Sequence, residues 1–444
     1  MIHRVLSYYR EAMRNYLLPP PELADLQARK LRHIINHAYR NIPLYRRWFR
    51  SRGLTSEDIR TPEDLRRLPT LSREEIQENY PTGIVDPSRN ARRATVRRTS
   101  GTTGRPLKAL WDNRYLDVIV AVRWRRSRMA GIRPWEKGAE VVYEPEAPGS
   151  RGGWRGARAW PGLLKIYGLA LGSTPSSLPH PRTARFRLGN EDLGLVARAL
   201  LRFGPAAIFC RPSYLRRLAY EFRKAGPQLK ARTLITAGEF LSRGTREELA
   251  AEYQAEVFDA YGSHEVGPVA SECAAHVGVH LHSDFFVFEV LRDGEPVSPG
   301  EPGEMVVTSL HNELMPLIRY RQGDIVVQEE AGLCRCGSNL PRLRVIEGRL
   351  NDGLVSKDGI RIPPGSVIDH LETVIGLRDY QLIQHDRSHA ALKVGTAHDT
   401  PQTRGAVEEY LRLLLGEETR VAVEPWREGE IPVKYRPVVS HVNV

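Results

Sequence analysis

Hydroxyl residues and glycines fill six consecutive positions in Thr99-Ser100-Gly101-Thr102-Thr103-Gly104, and Arg105-Pro106 follow. Glycine lets backbone N–H groups come close to a ligand, and neighbouring hydroxyls supply further donors. Such a loop suits the β- and γ-phosphates of ATP, cradled by amides rather than by one fixed cation. It is not a Walker loop, because no Gly-Lys-Ser/Thr follows. A solvated turn has the same composition, so the loop needs support from the rest of the chain.

Cysteine placement is the second chemical signal. Cys334-Arg335-Cys336-Gly337 sets two thiols two residues apart, with a glycine that lets the backbone curl round an ion. Cys273 lies upstream, followed by His276, His280 and His282. Three thiolates and one imidazole complete a tetrahedral zinc site. Reduced cysteines without an ion are the alternative, since a cytoplasmic chain rarely forms disulfides. Cys210 closes a short apolar run and reads as core.

Periodicity indicates the elements that must carry these groups. Leu31, Ile34, Ile35 and Ala38 fall at i, i+3, i+4 and i+7 and predict an amphipathic helix that Pro43 terminates. Residues 116–129 read as a helix whose Arg123, Arg125, Arg126 and Arg128 form a solvated face. Residues 139–143 read as a strand, and the Gly-, Pro- and Arg-rich stretch 144–162 as a surface excursion or lid. Leu193, Val196, Ala197 and Leu200 mark a helix stopped by Gly204-Pro205. A buried strand over 206–210 follows, then a helix with Ser213 placed to cap it. Residues 233–237 read as a strand leading into Gly238-Glu239, and Thr245-Arg246-Glu247-Glu248 as a capping box. Residues 256–260 read as a strand that delivers Tyr261.

Strands alternating with helices imply a parallel α/β sheet whose ligands bind outside the strands' carboxyl ends. That places Gly238-Glu239 and Tyr261-Gly262 in one crevice. Residues 280–327 carry strands and turns without a helix. Beyond Arg349 come a helix near Val367, strands near Gln381 and Ala391, a helix over 403–415 and a last strand, a small α+β pattern.

A chain of 444 residues exceeds one typical core and should divide into at least two domains. Hydrophobic content of 41% with 27% charge suits a soluble globular protein. No apolar run reaches the length of a membrane span and the N-terminus lacks a secretory pattern, so a cytoplasmic protein is expected. The formal charge of +12 raises a nucleic-acid partner. Arginines are scattered among acidic residues instead of forming one basic arm, which argues against it. A basic field equally favours polyanionic small molecules such as ATP and coenzyme A.

Three further motifs follow the Thr99–Gly104 loop in order: Asp259-Ala260-Tyr261-Gly262-Ser263-His264-Glu265, Arg319-Tyr320-Arg321-Gln322-Gly323-Asp324 and Gly348-Arg349-Leu350-Asn351-Asp352. Together the four resemble the phosphate loop, the adenine and magnesium segment, the ribose segment and the hinge of the adenylate-forming enzymes. Ala38-Tyr39-Arg40-Asn41-Ile42-Pro43-Leu44-Tyr45 and Leu68-Pro69-Thr70-Leu71-Ser72 are similar to the phenylacetate–CoA ligase-like group, which includes capsular-polysaccharide-biosynthesis proteins. The resemblance implies a large α/β N-terminal domain over residues 1–347, with parallel sheets plus a β-rich region. A small mobile α+β C-terminal domain over residues 348–444 would carry a catalytic lysine, Lys434.

Further implications concern individual residues. Residues 99–104 would hold the phosphates, Tyr261 would stack on adenine, Glu265 would ligate magnesium, and Asp324 would accept the ribose hydroxyls beside Arg349. Gly238, Glu239 and Gly262 would line the nucleotide site. Members of the group carry a structural zinc, and Gly278-Val279-His280 matches their histidine, which implies Cys273, His280, Cys334 and Cys336 as ligands. Three positions depart from the pattern: His264 replaces the usual Ser or Thr beside the α-phosphate, Gln322 replaces Thr, and Val433 replaces Gly before Lys434. The implied reaction is ATP-dependent activation of a small-molecule carboxylic acid and transfer to coenzyme A, by a monomer or homodimer. Adenylyl transfer without coenzyme A, as in deazaflavin adenylyltransferases, is the alternative. The acid pocket is expected around Pro212-Ser213-Tyr214, Ala237 and Val266-Gly267-Pro268, where Tyr214 suits an aryl acid or plain packing.

Overall fold

The structure, a computed structural model, describes residues 2–98, 107–143, 182–188, 193–226, 228–349, 352–395, 398–426 and 436–442. Residues 99–104, expected to hold phosphates, the stretch 144–162, Leu350, Asn351, Val433 and Lys434 lie outside them.

The chain opens with helices α1 (Ile2–Asn15), α2 (Pro20–Asn41), α3 (Pro43–Ser51) and α4 (Arg73–Asn79). The periodic set Leu31, Ile34, Ile35 and Ala38 is the buried face of α2, as expected. Pro43 starts α3 after a single extended residue, Ile42, because proline at the first helical turn needs no N–H partner. Strands β1 (Thr95–Arg98) and β2 (Lys108–Trp111) form an antiparallel pair leading into α5 (Asn113–Met129).

The centre is one mixed twelve-stranded sheet among the described residues. Its parallel half holds β3 (Gly138–Tyr143), β4 (Thr183–Leu188), β5 (Ala207–Cys210), β6 (Thr233–Ala237) and β7 (Glu256–Ser263). Helices α6 (Leu193–Phe203), α7 (Pro212–Ala225) and α8 (Arg243–Tyr253) connect these strands and bury Leu200, Leu215, Leu218 and Leu249 against them. From β7 onward the pairing turns antiparallel through β8 (Gly267–Glu272), β9 (Val279–Leu281), β10 (Phe286–Arg292), β11 (Glu295–Pro296), β12 (Pro302–Ser309), β13 (Tyr320–Gln328) and β14 (Arg342–Arg349). The β-rich region expected as an addition to parallel sheets is therefore the other half of the same sheet.

Beyond Arg349 lie β15 (Leu354–Val355), β16 (Arg361–Ile362) and α9 (Pro364–Asp369). Then β17 (Tyr380–Gln384), β18 (His389–Gly395), α10 (Pro401–Leu415), β19 (Arg420–Trp426) and β20 (Val438–Ser440) build a separate four-stranded sheet. Val367, Leu371, Tyr380, Leu392, Val407 and Leu411 form its own apolar core. This segment docks on the start of α8 through Glu372, which is only 4% exposed. The Glu372 carboxylate accepts the hydroxyls of Ser242 and Thr245, while Asp369 Oδ1 accepts the amide of Arg243 at 3.0 Å.

Three local expectations are corrected. The helix α8 begins at Arg243 with Ser242 as its cap, so Thr245 lies inside it. Ser213 likewise lies inside α7, and the cap position is Arg211. The arginines of α5 are not one solvated face. Arg125 is wholly buried, with both terminal nitrogens on Asp284 at 2.8 and 2.9 Å, and Nη2 also donating to His282 Nδ1 at 2.7 Å. An isolated guanidinium there would cost far more than the pair does, which is why a carboxylate is buried beside it.

Candidate active site

Strand ends β7, β13 and β14 meet in a cleft of about 1740 Å³. Tyr261 and Gly262 flank a bulge near the end of β7, where a Cβ on Gly262 would lie 2.2 Å from the Gly267 carbonyl oxygen. Only glycine fits that close approach. The Tyr261 hydroxyl donates to Asp324 Oδ2 at 2.7 Å, and Asp324 pairs in register with Arg349, whose Nε stands 3.9 Å from Oδ1. Burial raises the Asp324 carboxyl, against the pull of Tyr261 and Arg349. A carboxylate held from two sides keeps lone pairs for two hydroxyl donors arriving from the cleft.

Glu265 is 3% exposed and fixed at both ends. Its carbonyl accepts Trp111 Nε1 at 2.9 Å, and its Oε1 accepts the Tyr320 hydroxyl at 3.2 Å, with Arg73 Nη1 at 3.7 Å. Beside it, Arg97 Nη2 donates to His264 Nδ1 at 3.5 Å. Burial first and Arg97 second push the His264 pKa down to about 4. The ring is then neutral, Nδ1 is the acceptor, and Nε2–H is left as a donor. Histidine can thus present the donor that a Ser or Thr hydroxyl presents elsewhere.

Gly238 turns the chain out of β6 at φ 83°. The Glu239 carboxylate accepts both the amide (3.0 Å) and the hydroxyl (2.9 Å) of Ser213, and Arg211 lies 3.7 Å away. The side chain that closes the start of α7 is therefore Glu239 from the turn after β6, which ties Glu239 to the wall of the cleft. Tyr214 is 2% exposed within the core of α6 to α8, so it packs. Gln322 has neither amide atom hydrogen-bonded although both are shielded from solvent. At the far end, Asp352 accepts the Arg436 guanidinium just before β20.

Cys273, His280, Cys334 and Cys336 converge with their ligand atoms all within 4.8 Å of one another. The Cys273 and Cys334 sulfurs are 3.8 Å apart, the separation expected for two thiolates about 2.3 Å from a tetrahedral ion. His280 Nδ1 lies 3.2 Å from the Leu340 carbonyl and donates to it, so the Nε2 lone pair faces Cys336 Sγ at 3.4 Å. The other two histidines are spoken for: His282 sits between Arg125 and Ser271, and His276 between Glu272 and Glu256. Burial drives the Cys210 thiol far up, in keeping with core.

Sequence reading missed Arg73, Arg97 and Arg211. Each reaches the site across the fold, Arg97 over 167 residues, which no periodicity records. Tyr320 lay inside a motif, but nothing in the spacing marked its hydroxyl for Glu265.

Comparison with known proteins agrees with this fold. No protein-family model matches the chain. The phenylacetate-coenzyme A ligase of Thermus thermophilus is 31% identical over 361 residues, 79% of this chain and 75% of that protein. The phenylacetate-coenzyme A ligase of Escherichia coli K12 is 30% identical over 381 residues, 83% of this chain and 80% of that protein. The crystal structure of 2-hydroxyisobutyryl-CoA ligase in the postadenylation state superposes with a TM-score of 0.78 at 20% identity, covering 96% of this chain and 91% of that one. The fold is that of the adenylate-forming enzymes. Within them, the chain belongs to the phenylacetate–CoA ligase family.

Proposed function

We propose that the chain joins a carboxylic acid to coenzyme A in two steps driven by ATP. A carboxylate is a poor acyl donor because its leaving group would be oxide. Attack of a carboxylate oxygen on the α-phosphorus releases pyrophosphate and leaves an acyl adenylate. Attack of the coenzyme A thiol on the acyl carbon then releases AMP. The observation that carries this reading is the single floor formed by Tyr261, Asp324 and Arg349 beside His264 and Glu265.

Asp324 accepts the ribose hydroxyls, the Tyr261 ring lies along adenine, and Gly238 and Gly262 let the backbone approach. His264 Nε2–H donates toward the α-phosphate, and residues 99–104 enclose the β- and γ-phosphates. Glu265 is the magnesium ligand: its Oε1 faces Tyr320 and Arg73, which leaves Oε2 for a hard cation. Magnesium, when bound, draws off charge that builds on the phosphates. Cys273, His280, Cys334 and Cys336 hold a structural zinc, a reading that rests on their spacing and on the fixed His280 tautomer.

Residues 348–444 act as a domain that turns about Asp352 between the half-reactions, bringing Lys434 over the phosphates for the first. The protein works in the cytoplasm. ATP–pyrophosphate exchange over a panel of aryl, fatty and amino acids, with AMP release measured with and without coenzyme A, tests the reading. Exchange without any thiol-dependent AMP release would move the chain to adenylyl transfer.

A further inference from the structure

The carboxyl ends of β7, β6 and β5 stand side by side, and each brings a different group to the cleft. β7 delivers Tyr261 and Gly262, β6 runs into Gly238, and β5 runs into Arg211. Arg211 Nε lies 3.7 Å from where a Cβ on Gly238 would stand, so the glycine leaves the guanidinium room over the end of β6. The Tyr214 ring centre is 5.7 Å from that guanidinium, a cation–π contact that supports it from the core. Glu239 Oε1 is 3.7 Å from Arg211 Nη1, close enough to balance its charge and too far for a hydrogen bond. Ser213 holds Glu239 in place through its amide and hydroxyl. Among the described residues the Arg211 guanidinium thus has a counter-charge but makes no hydrogen bond, and its side chain is 35% exposed at the cleft. After burial and Arg97, Arg211 also opposes protonation of His264, so its charge is felt where the α-phosphate would lie.

Strand order fixes which part of an acid meets Arg211. Asp324 and Arg349, where the nucleoside would sit, belong to β13 and β14 on one side of β7, while β6 and β5 follow in turn on the other. With its carboxylate at the α-phosphorus beside His264, the acid must run over β6 toward β5, two strand spacings or about 10 Å away. Its tail then meets guanidinium donors instead of an apolar wall. Taking the acid activation proposed above as given, we infer that Arg211 is a specificity-determining residue, which donates to an uncharged oxygen (hydroxyl, ether or keto) on the tail of the acid. A bare hydrocarbon there would strip water from the guanidinium and return nothing. A second carboxylate would stand against Glu239, which already balances the charge. Phenylacetate, the acid in the names of the relatives, has no oxygen beyond its carboxylate.

The test compares hydroxyl and methyl acids of equal shape in ATP–pyrophosphate exchange with the full-length protein: 4-hydroxyphenylacetate against 4-methylphenylacetate, and 6-hydroxyhexanoate against heptanoate. The hydroxyl acid should win in at least one pair by about tenfold or more in kcat/KM, the scale of a hydrogen bond to a charged group. In Arg211→Met, which keeps the length of the side chain and removes its donors, that ratio should fall to one or below. Because each ratio is taken on one preparation, partial loss of folded protein cancels. A wild-type ratio of one or less in both pairs overturns the inference while leaving acid activation standing, and so does a ratio unchanged in Arg211→Met. Wild-type preference for 4-carboxyphenylacetate over 4-hydroxyphenylacetate likewise overturns it, since the group recognised would then be an anion. Absence of exchange with every acid overturns both readings.

Discussion

The Tyr261 hydroxyl and the Asp324 carboxylate, 63 residues apart, are joined by a 2.7 Å hydrogen bond across the cleft floor. The bond fixes the angle at which Asp324 meets a ligand and the plane of the Tyr261 ring together. Tyr261→Phe should therefore raise KM for ATP by about tenfold, the scale of one hydrogen bond to a charged group. Asp324→Ala should cost more, on the order of a hundredfold in kcat/KM for ATP, since it removes the acceptor itself. Pyrophosphate exchange at varied ATP checks both; an Asp324→Ala enzyme with unaltered ATP dependence would remove Asp324 from the nucleotide site.

The four-residue cysteine–histidine cluster should carry about one zinc per chain in protein purified without added metal. Cys334→Ser should lower Tm by about 5 °C or more while sparing the ATP dependence of whatever protein stays folded. Elemental analysis and a thermal melt decide it, and a metal-free preparation of full stability contradicts the assignment.

Lys434→Ala should slow acyl-adenylate formation on the order of a hundredfold or more, the loss of one well-placed charge. A compact ammonium on a flexible stem suits the gap between two anions better than a guanidinium. Transfer from a supplied acyl adenylate to coenzyme A should survive. Equal adenylation rates in variant and wild type would mean that another group does this work.

Glu372 is the buried carboxylate that holds the C-terminal segment against α8. If that segment turns between half-reactions, the contact must break each cycle. Glu372→Ala should then slow the half-reaction made in this docked arrangement and leave the other within about twofold, since a lost latch shifts a population instead of the chemistry. Single-turnover rates of the two steps report it, and parallel losses in both would point to simple destabilisation.

Burial first and Glu272 second push the Asp259 carboxyl up to about 7. Unfolded, it ionises near 4. Between roughly pH 4 and 7 the folded chain keeps a proton that the unfolded chain has released, so this group makes stability fall as pH rises through that window. Asp259→Asn should remove the penalty, on the order of 1–3 kcal/mol at pH 8, and change little at pH 4. Denaturant midpoints across pH measure it, and a variant less stable at pH 8 refutes the account.

The sequence carried the elements and much of the candidate site because both depend on local pattern. The α2 face, the strand that delivers Tyr261 and the helix-free stretch before Val327 follow from period and turn residues. The single sheet did not, since the switch from parallel to antiparallel at β8 depends on which edge of β7 is free. Charge placement was also illegible. Arg125 and Arg126 differ by one residue, yet one is sealed against Asp284 and the other rests on Phe209. The helix phase that separates them is set by the packing of α5 against α1 and β8, which a lone charged run conceals. Likewise, three histidines follow Cys273, and only the fold shows that His282 and His276 have other partners.

The cluster around Cys336 has a further consequence, for the order in which the chain can be assembled. Tyr16 Oη lies 2.8 Å from Cys336 Sγ, and Ser338 and Asn339 bond the Tyr16 and Leu18 carbonyls. These contacts span 320 residues or more. On a ribosome adding about 5–20 residues per second, the first helices would wait roughly 15–60 s for the segment that clasps their turn. Through that interval their apolar sides lack this cover, so the newborn chain should depend on holding factors most before residue 336 emerges.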